Sequence, residues 1–275
     1  HRSGMSWAHS WLIVMLVCGA IMLLLGLWHT KFLPVDVRSV DRPTSFHQAV
    51  RTFKESFVSF FRKEQVIRIV AFIILYKISQ GLIDRIGPLF LLDPRSVGGL
   101  GLDNVFKGSI DGLWGTAAML GGTLLAGFFC ARYSLNRWTL LLLCAALNVP
   151  GAVYVYMSHA MPTGVGEIYF LVMLDKFGMG FGEVGLMLYL MQQVAPGPFR
   201  TAHYAFGTGL MNLGYTVGGL PSGWVQEHVG YVTFFILVMI CAIPSFVATW
   251  LAPFPVRYDK ETGEQIIDPP PDRTG

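Results

Sequence analysis

The sequence predicts an all-α membrane protein with seven transmembrane helices. Three observations carry this reading. Of its 275 residues, 53% are hydrophobic and only 13% are charged, about half the charge of an ordinary soluble domain. Seven stretches have the roughly 20 mostly apolar residues that a bilayer crossing needs: Trp7–Leu33, Ile67–Leu92, Gly108–Cys130, Trp138–Ser158, Ile168–Val194, Ala202–Val225 and Tyr231–Pro253. Lysine and arginine then gather on every second connector. One set holds Lys31, Arg38, Arg42, Arg51, Lys54, Arg62, Lys63 and Arg68, then Arg132 and Arg137, then Arg200, then Arg257, Lys260 and Arg273; the other holds Arg2, Arg95 and Lys107. The positive-inside rule places the richer set in the cytoplasm, with the long connector and the C-terminus.

The net charge is only +3, and no basic block of the kind that binds nucleic acid is present. The chain opens on His1 and is expected to be a piece of a longer polypeptide. The first apolar run is too long for a cleavable signal peptide, and no small-residue cleavage site follows it. Cys18, Cys130, Cys144 and Cys241 lie in apolar runs without metal-ligand spacing, so they read as small core hydrophobes.

Between the first two spans, Phe46, Val50, Phe53, Phe57, Phe60 and Phe61 recur at steps of three and four, while Arg51, Lys54, Glu55 and Arg62 take other faces. This predicts an amphipathic helix on the inner membrane surface, an anchor or else a partner-binding helix. Ser45 and Gln48 form its capping box after Pro43. The tail from Arg257 is polar, contains Pro269, Pro270 and Pro271, and is expected to be disordered.

Charge inside the spans is the main functional signal. An ionisable side chain at mid-bilayer costs about 2.5–3.5 kcal/mol on insertion scales, so it faces the bundle interior and serves a pathway or a pair. In the second span Lys77, Gln80 and Asp84 share a stripe at steps of three and four. The fifth span contains DKFGMGFGEVG, Asp175 to Gly185. There Lys176 and Glu183 share a stripe, and Asp175 lies about 100° round the helix. Gly178 and Gly182 are small enough to let another helix approach closely. Two readings stand: Lys176 pairs structurally with Asp175, Glu183 or Asp84, or these groups line a substrate or proton path. Asn148, Val149, Pro150 and Gly151 break the fourth span, as a kink or a binding point. Thr208, Asn212 and Tyr215 form a polar stripe on the sixth. His203, at its inner end, reads as interfacial, and Tyr154, Tyr156, Trp224 and Tyr231 as an outer aromatic belt.

Two other classes share the span count. A retinal protein needs a lysine deep in its last helix, and Tyr231–Pro253 has none; a seven-helix receptor or sensor stays open. An intramembrane enzyme would show HExxH, GxSxG or a paired His–Asp set, and the sequence has none of these. No catalytic residues, metal ligands or cofactor are expected.

One helix, a long connector, then six helices with short loops is the layout of a twelve-helix transporter entered at its sixth helix. GTLLAGFFCARYSLNRWTLLL (Gly122–Leu142) resembles the cytoplasmic signature loop of major facilitator transporters, G-x-x-x-D-R-x-G. Gly127 and Arg132 match and Arg137 follows in the loop, but Ala131 replaces the acid and Ser134 the second glycine. FFRKEQVIRIVAFIILYKISQGL, TAHYAF (Thr201–Phe206) and SGWVQEHVGYVTFF (Ser222–Phe235) together resemble AmpG-type muropeptide permeases and the related acetyl-coenzyme A transporters. The resemblance implies a proton-driven importer of cell-wall sugar-peptides in a bacterial inner membrane. It divides the chain into the last helix of a truncated N-terminal bundle (1–34), a cytoplasmic loop (35–66), a C-terminal six-helix bundle (67–256) and a tail (257–275). The expected partners are the sugar-peptide, protons, the lipid bilayer and the missing N-terminal bundle. Asp84, Asp175 or Glu183, held near Lys77 or Lys176, is expected to handle the proton, with Glu183 preferred.

Overall fold

The computed structural model describes residues 7–32, 45–258 and 265–266. Expectations for Arg2, for residues 33–44 with Arg38, Arg42 and Pro43, and for Lys260, Arg273 and the Pro269–Pro271 run lie outside the described residues. The chain divides into two units, His1–Ala49 and Val50–Gly275. In the first, α1 (Trp7–Phe32) is a 26-residue helix. It is apolar all round, and Trp28 stacks on Phe32 with ring centres 4.1 Å apart.

Helix α2 (Phe46–Phe61) forms where the phenylalanine spacing places it, and the Gln48 amide donates to Ser45 Oγ at 3.2 Å. Its second half is docked rather than simply lying on a surface. Phe53, Phe57 and Phe60 surround the Phe206 ring at 5.6–5.8 Å, and Phe60 is fully buried.

The second span is two helices, α3 (Val66–Tyr76) and α4 (Ile78–Leu92), interrupted at Lys77, whose φ of −110° and ψ of 8° leave the helical region. Next come α5 (Asn104–Ser109), a π-turn and α6 (Gly115–Arg132). Asp103 caps α5 by accepting from the Phe106 amide at 2.6 Å. Helices α7 (Arg137–Asn148) and α8 (Ala152–Ala160) flank a 3-10 turn, Val149–Gly151, at the expected break. Asn136 starts α7 by accepting from the Trp138 and Thr139 amides at 2.9 and 3.0 Å. Helix α9 (Val165–Tyr189) runs on through a π-turn to Val194. Helix α10 (Arg200–Gly219) ends before the expected Val225; Pro221 has no N–H to extend the ladder. Helix α11 (Ser222–Cys241) bends at Gly230, φ 75°, so the last long helix starts at Tyr231 as its apolar run does, and α12 (Ile243–Leu251) completes it. In the tail, Arg257–Tyr258 and Gln265–Ile266 pair as a short antiparallel ladder.

The result is an all-helical membrane architecture. Five helical segments among the described residues are long and apolar enough to cross a bilayer: Ala8–Phe32, Val66–Leu92, Asn104–Arg132, Arg137–Ala160 and Ser222–Leu251. The fifth and sixth expected spans, on α9 and α10, are helical. Their polar side chains and glycines keep them below that level of apolarity.

Helix α9 packs against α6 and α7, α10 against α3 and α4, α11 against α4 and α8, and α12 against α3 and α7. Among lipids the hydrophobic effect does not drive such contacts, so close van der Waals approach must. The glycines of DKFGMGFGEVG supply it. A Cβ on Gly180 would run into the Met119 carbonyl of α6, and one on Gly182 into the Leu143 carbonyl of α7. Tyr76, fully buried, donates from its hydroxyl to the Gly182 carbonyl at 2.8 Å. Tyr76→Phe should lower stability by about 1 kcal/mol, measured by unfolding in mixed micelles; an unchanged midpoint would remove this bond from the account.

The buried apolar side chains form two clusters. One gathers Phe90, Tyr154, Ile168, Val172, Tyr231 and Phe235. The other gathers Phe72, Tyr76, Leu140, Leu147, Leu186 and Tyr189. Lys77, Ser79 and Gln80 on α3–α4, Asn148 on α7 and Asp175, Lys176 and Glu183 on α9 lie in the sequence between these clusters, while Asp84 falls within the first.

Several expectations change here. Tyr154 and Tyr231 are core residues, not belt residues: Tyr154 stacks on Phe235 at 5.2 Å, and the Tyr231 hydroxyl is held by Asp93. Tyr156 and Trp224 are exposed, as a belt requires. His203 is buried, with Nε2 3.3 Å from the Ser56 carbonyl oxygen. Of the cysteines only Cys144 is a core residue; Cys130 is half-buried, and Cys18 and Cys241 are exposed.

Candidate intramembrane charge network

The interruption at Lys77 turns its side chain toward α9, where Nζ pairs with Glu183 Oε1. One turn or two further along α4, Asp84 Oδ1 pairs with Lys176 Nζ of α9 at 3.4 Å. The stripes predicted along each helix are real, but the pairs form between helices, each lysine with the other helix's carboxylate. Gln80 Nε2 donates to Asp84 Oδ1 at 3.3 Å. From α10, the Tyr215 hydroxyl donates to Asp84 Oδ2 at 3.2 Å, while Lys77 Nζ lies 5.6 Å from the Tyr215 ring centre. Tyr215 thus touches both pairs, and three helical segments are joined by one network.

Asp175 takes no part in it. Its side chain is fully buried, and neither carboxylate oxygen has a hydrogen-bond partner among the described residues. Its chain neighbour Lys176 reaches Asp84 instead. Asn148 is also buried and separate: its Oδ1 accepts from Ser79 Oγ, and its Nδ2 donates to the Cys144 carbonyl at 2.9 Å. The bond from Ser79 ties the broken end of α7 to α4. Asn212 is exposed and folds back on its own helix, donating to the Thr208 carbonyl at 3.0 Å.

The network opens on a cavity of about 300 Å³, lined among others by Asp84, Asp111, Thr116, Tyr154, Lys176 and Met179. Asp111 was not singled out in the sequence. Its pair with Lys107, 2.7 Å at i and i+4, was the available signal. The signature-loop residues are elsewhere. Arg132 lies over the Tyr133 ring at 5.9 Å and Arg137 over Trp250 at 5.3 Å. Gly127 has open space around it. No cluster of three or more His, Cys, Asp or Glu able to hold a metal ion occurs among the described residues.

Apolar helices joined internally by partly buried ion pairs define a multi-pass membrane protein with a charged interior. Comparison with known proteins then points to transporters. A Rickettsia prowazekii protein that carries the name transporter AmpG 2 is 23% identical over 199 residues, 71% of this chain and 46% of the relative. Its Rickettsia typhi counterpart is 25% identical over the same shares. A Rickettsia bellii protein of that name is 21% identical over 244 residues, 88% of this chain and 55% of the relative. The chain spans about half the length of the curated relatives it matches. No family model matches it. The chain is a homologue of proteins named as AmpG transporters, and by those names a transporter role is supported.

Proposed function

We propose that this chain forms the C-terminal part of a proton-coupled major facilitator transporter that imports a cell-wall sugar-peptide across a bacterial inner membrane. The observation that carries the reading is the network Lys77–Glu183 and Lys176–Asp84, bridged by Tyr215, with Asp84 and Lys176 lining a cavity of mixed polar and apolar character. Charge is costly at that depth and is retained where something polar passes or a proton is exchanged. The relatives' names support transport, and the solute class rests on the sequence resemblance to AmpG-type muropeptide permeases.

In this reading all seven long helices cross the membrane. Helix α1 closes a preceding bundle, residues 67–256 make the second, and the substrate passes between the two. Helix α2 and the tail face the cytoplasm. Each carboxylate of the network has a lysine to leave and return to. Asp175, without a partner in this arrangement, gains one when the helices shift.

The test uses the whole transporter in proteoliposomes with a labelled anhydromuropeptide. An inward proton gradient should drive accumulation. Asp84→Asn, Asp175→Asn and Glu183→Gln are compared for accumulation and for substrate exchange without a gradient. At least one variant should lose uphill accumulation, about tenfold or more, while retaining exchange. If all three accumulate substrate like the parent, these carboxylates only hold helices together. If the parent ignores the gradient, the coupling is wrong.

A further inference from the structure

A second polar feature lies away from the network. Helix α2 and the segment leading into α10 enclose a groove of about 730 Å³, lined by Arg51, Lys54, Glu55, Arg62, Lys63 and His203 among others. Four of those side chains are basic and one is acidic. Arg51 is engaged by Glu55 at 2.8 Å. Lys54 and Arg62 have no ion-pair partner among the described residues. Lys63 is half-buried, its Nζ 3.4 Å from the Pro196 carbonyl oxygen. Burial lowers its affinity for the proton below the ordinary lysine value, with no carboxylate offsetting the effect. His203 supplies an independent observation. With Nε2 turned to the Ser56 carbonyl, its buried Nδ1 has no partner. The groove therefore carries positive charge that no carboxylate among the described residues engages.

Next to it, α2 exposes Phe53, Phe57 and Phe61. Phenylalanines beside basic side chains on one helix are what an interfacial segment presents to anionic lipid: rings for the acyl boundary, cations for the headgroups. A soluble phosphate would use the cations but have no use for the rings.

We propose that this groove binds the phosphodiester headgroup of an anionic phospholipid, with Lys54, Arg62 and Lys63 as its cationic contacts. The bound lipid clamps α2 to the end of α10.

The experiment is thermal unfolding of the purified chain in mixed micelles, titrated with dioleoylphosphatidylglycerol, with dioleoylphosphatidylcholine or with inorganic phosphate. Phosphatidylglycerol should raise Tm saturably, and the other two should not. Lys54→Gln with Arg62→Gln should raise the phosphatidylglycerol midpoint about tenfold, with Tm in phosphatidylcholine unchanged. Glu55→Gln removes the one acidic group of the groove and should lower that midpoint. It decides the matter if the double variant folds poorly. Equal shifts from both lipids, a shift reproduced by inorganic phosphate, or midpoints indifferent to these substitutions would overturn the proposal.

Discussion

Lys77→Met should destabilise the helical body by about 3 kcal/mol, because removing one partner of a buried pair leaves the other uncompensated. Lys77 and Glu183 keep only 8% and 28% of their side-chain surface, so water takes over only part of the carboxylate's solvation. The same substitution also removes the cation from the Tyr215 ring. Adding Glu183→Met should restore stability to within about 1 kcal/mol of the parent, since two apolar groups replace two charges of similar size. Unfolding curves of the parent, both single variants and the double variant make the cycle. If the double variant is as unstable as the single ones, the pair is not the reason for the loss.

Gly180→Val should have an effect of similar size by a different route. The new side chain would stand where the Met119 carbonyl already is, with Met119 C 2.8 Å from the Cβ position. Backbone cannot rotate out of the way as a side chain can, so α6 and α9 must separate along their whole crossing. Gly122 faces the Phe177 carbonyl from the other side of that crossing, so there is no slack to absorb the shift. Overpacking ordinarily costs about 1–3 kcal/mol, and a clash with backbone belongs at the upper end. The control is Gly121→Ala on α6, which has open space around it and should be neutral or slightly stabilising. Folded yield and Tm in detergent give the comparison. Equal loss in both variants would mean that glycine itself, and not the crossing, is what the helix requires.

How much of this could be read in the chain depended on whether the signal was local. Helical periodicity and apolar length are local, so α1, α2 and the long helical segments were legible, as was the break at Asn148–Gly151. The residues of the charge network were also legible, because charge in an apolar run stands out wherever it pairs. Their pairing was not. Spacing along α4 and α9 showed which groups share a stripe, but Lys77 and Glu183 are 106 positions apart, and only the helix crossing selects Glu183 over Asp84. Tyr154 and Tyr231 misled for the same reason. A tyrosine near a helix end suits a belt or a core equally until its neighbours are known. Asn212 sits on the same helix as Tyr215 but on an exposed face, away from the pairs. The interruption at Lys77 had no glycine or proline to announce it.

That interruption has a mechanical consequence. The residue that leaves the helical conformation is the residue that bears the charge, so the joint and its latch are one. Helix α4 has 15 residues, with Pro88 in its last third, and spans about 22 Å at 1.5 Å per residue. A pivot of about 10° at its first end sweeps the far end by about 4 Å, more than the width of a water molecule. If the helix pivots there, seating or releasing one ammonium group would open or close a gap at its opposite end.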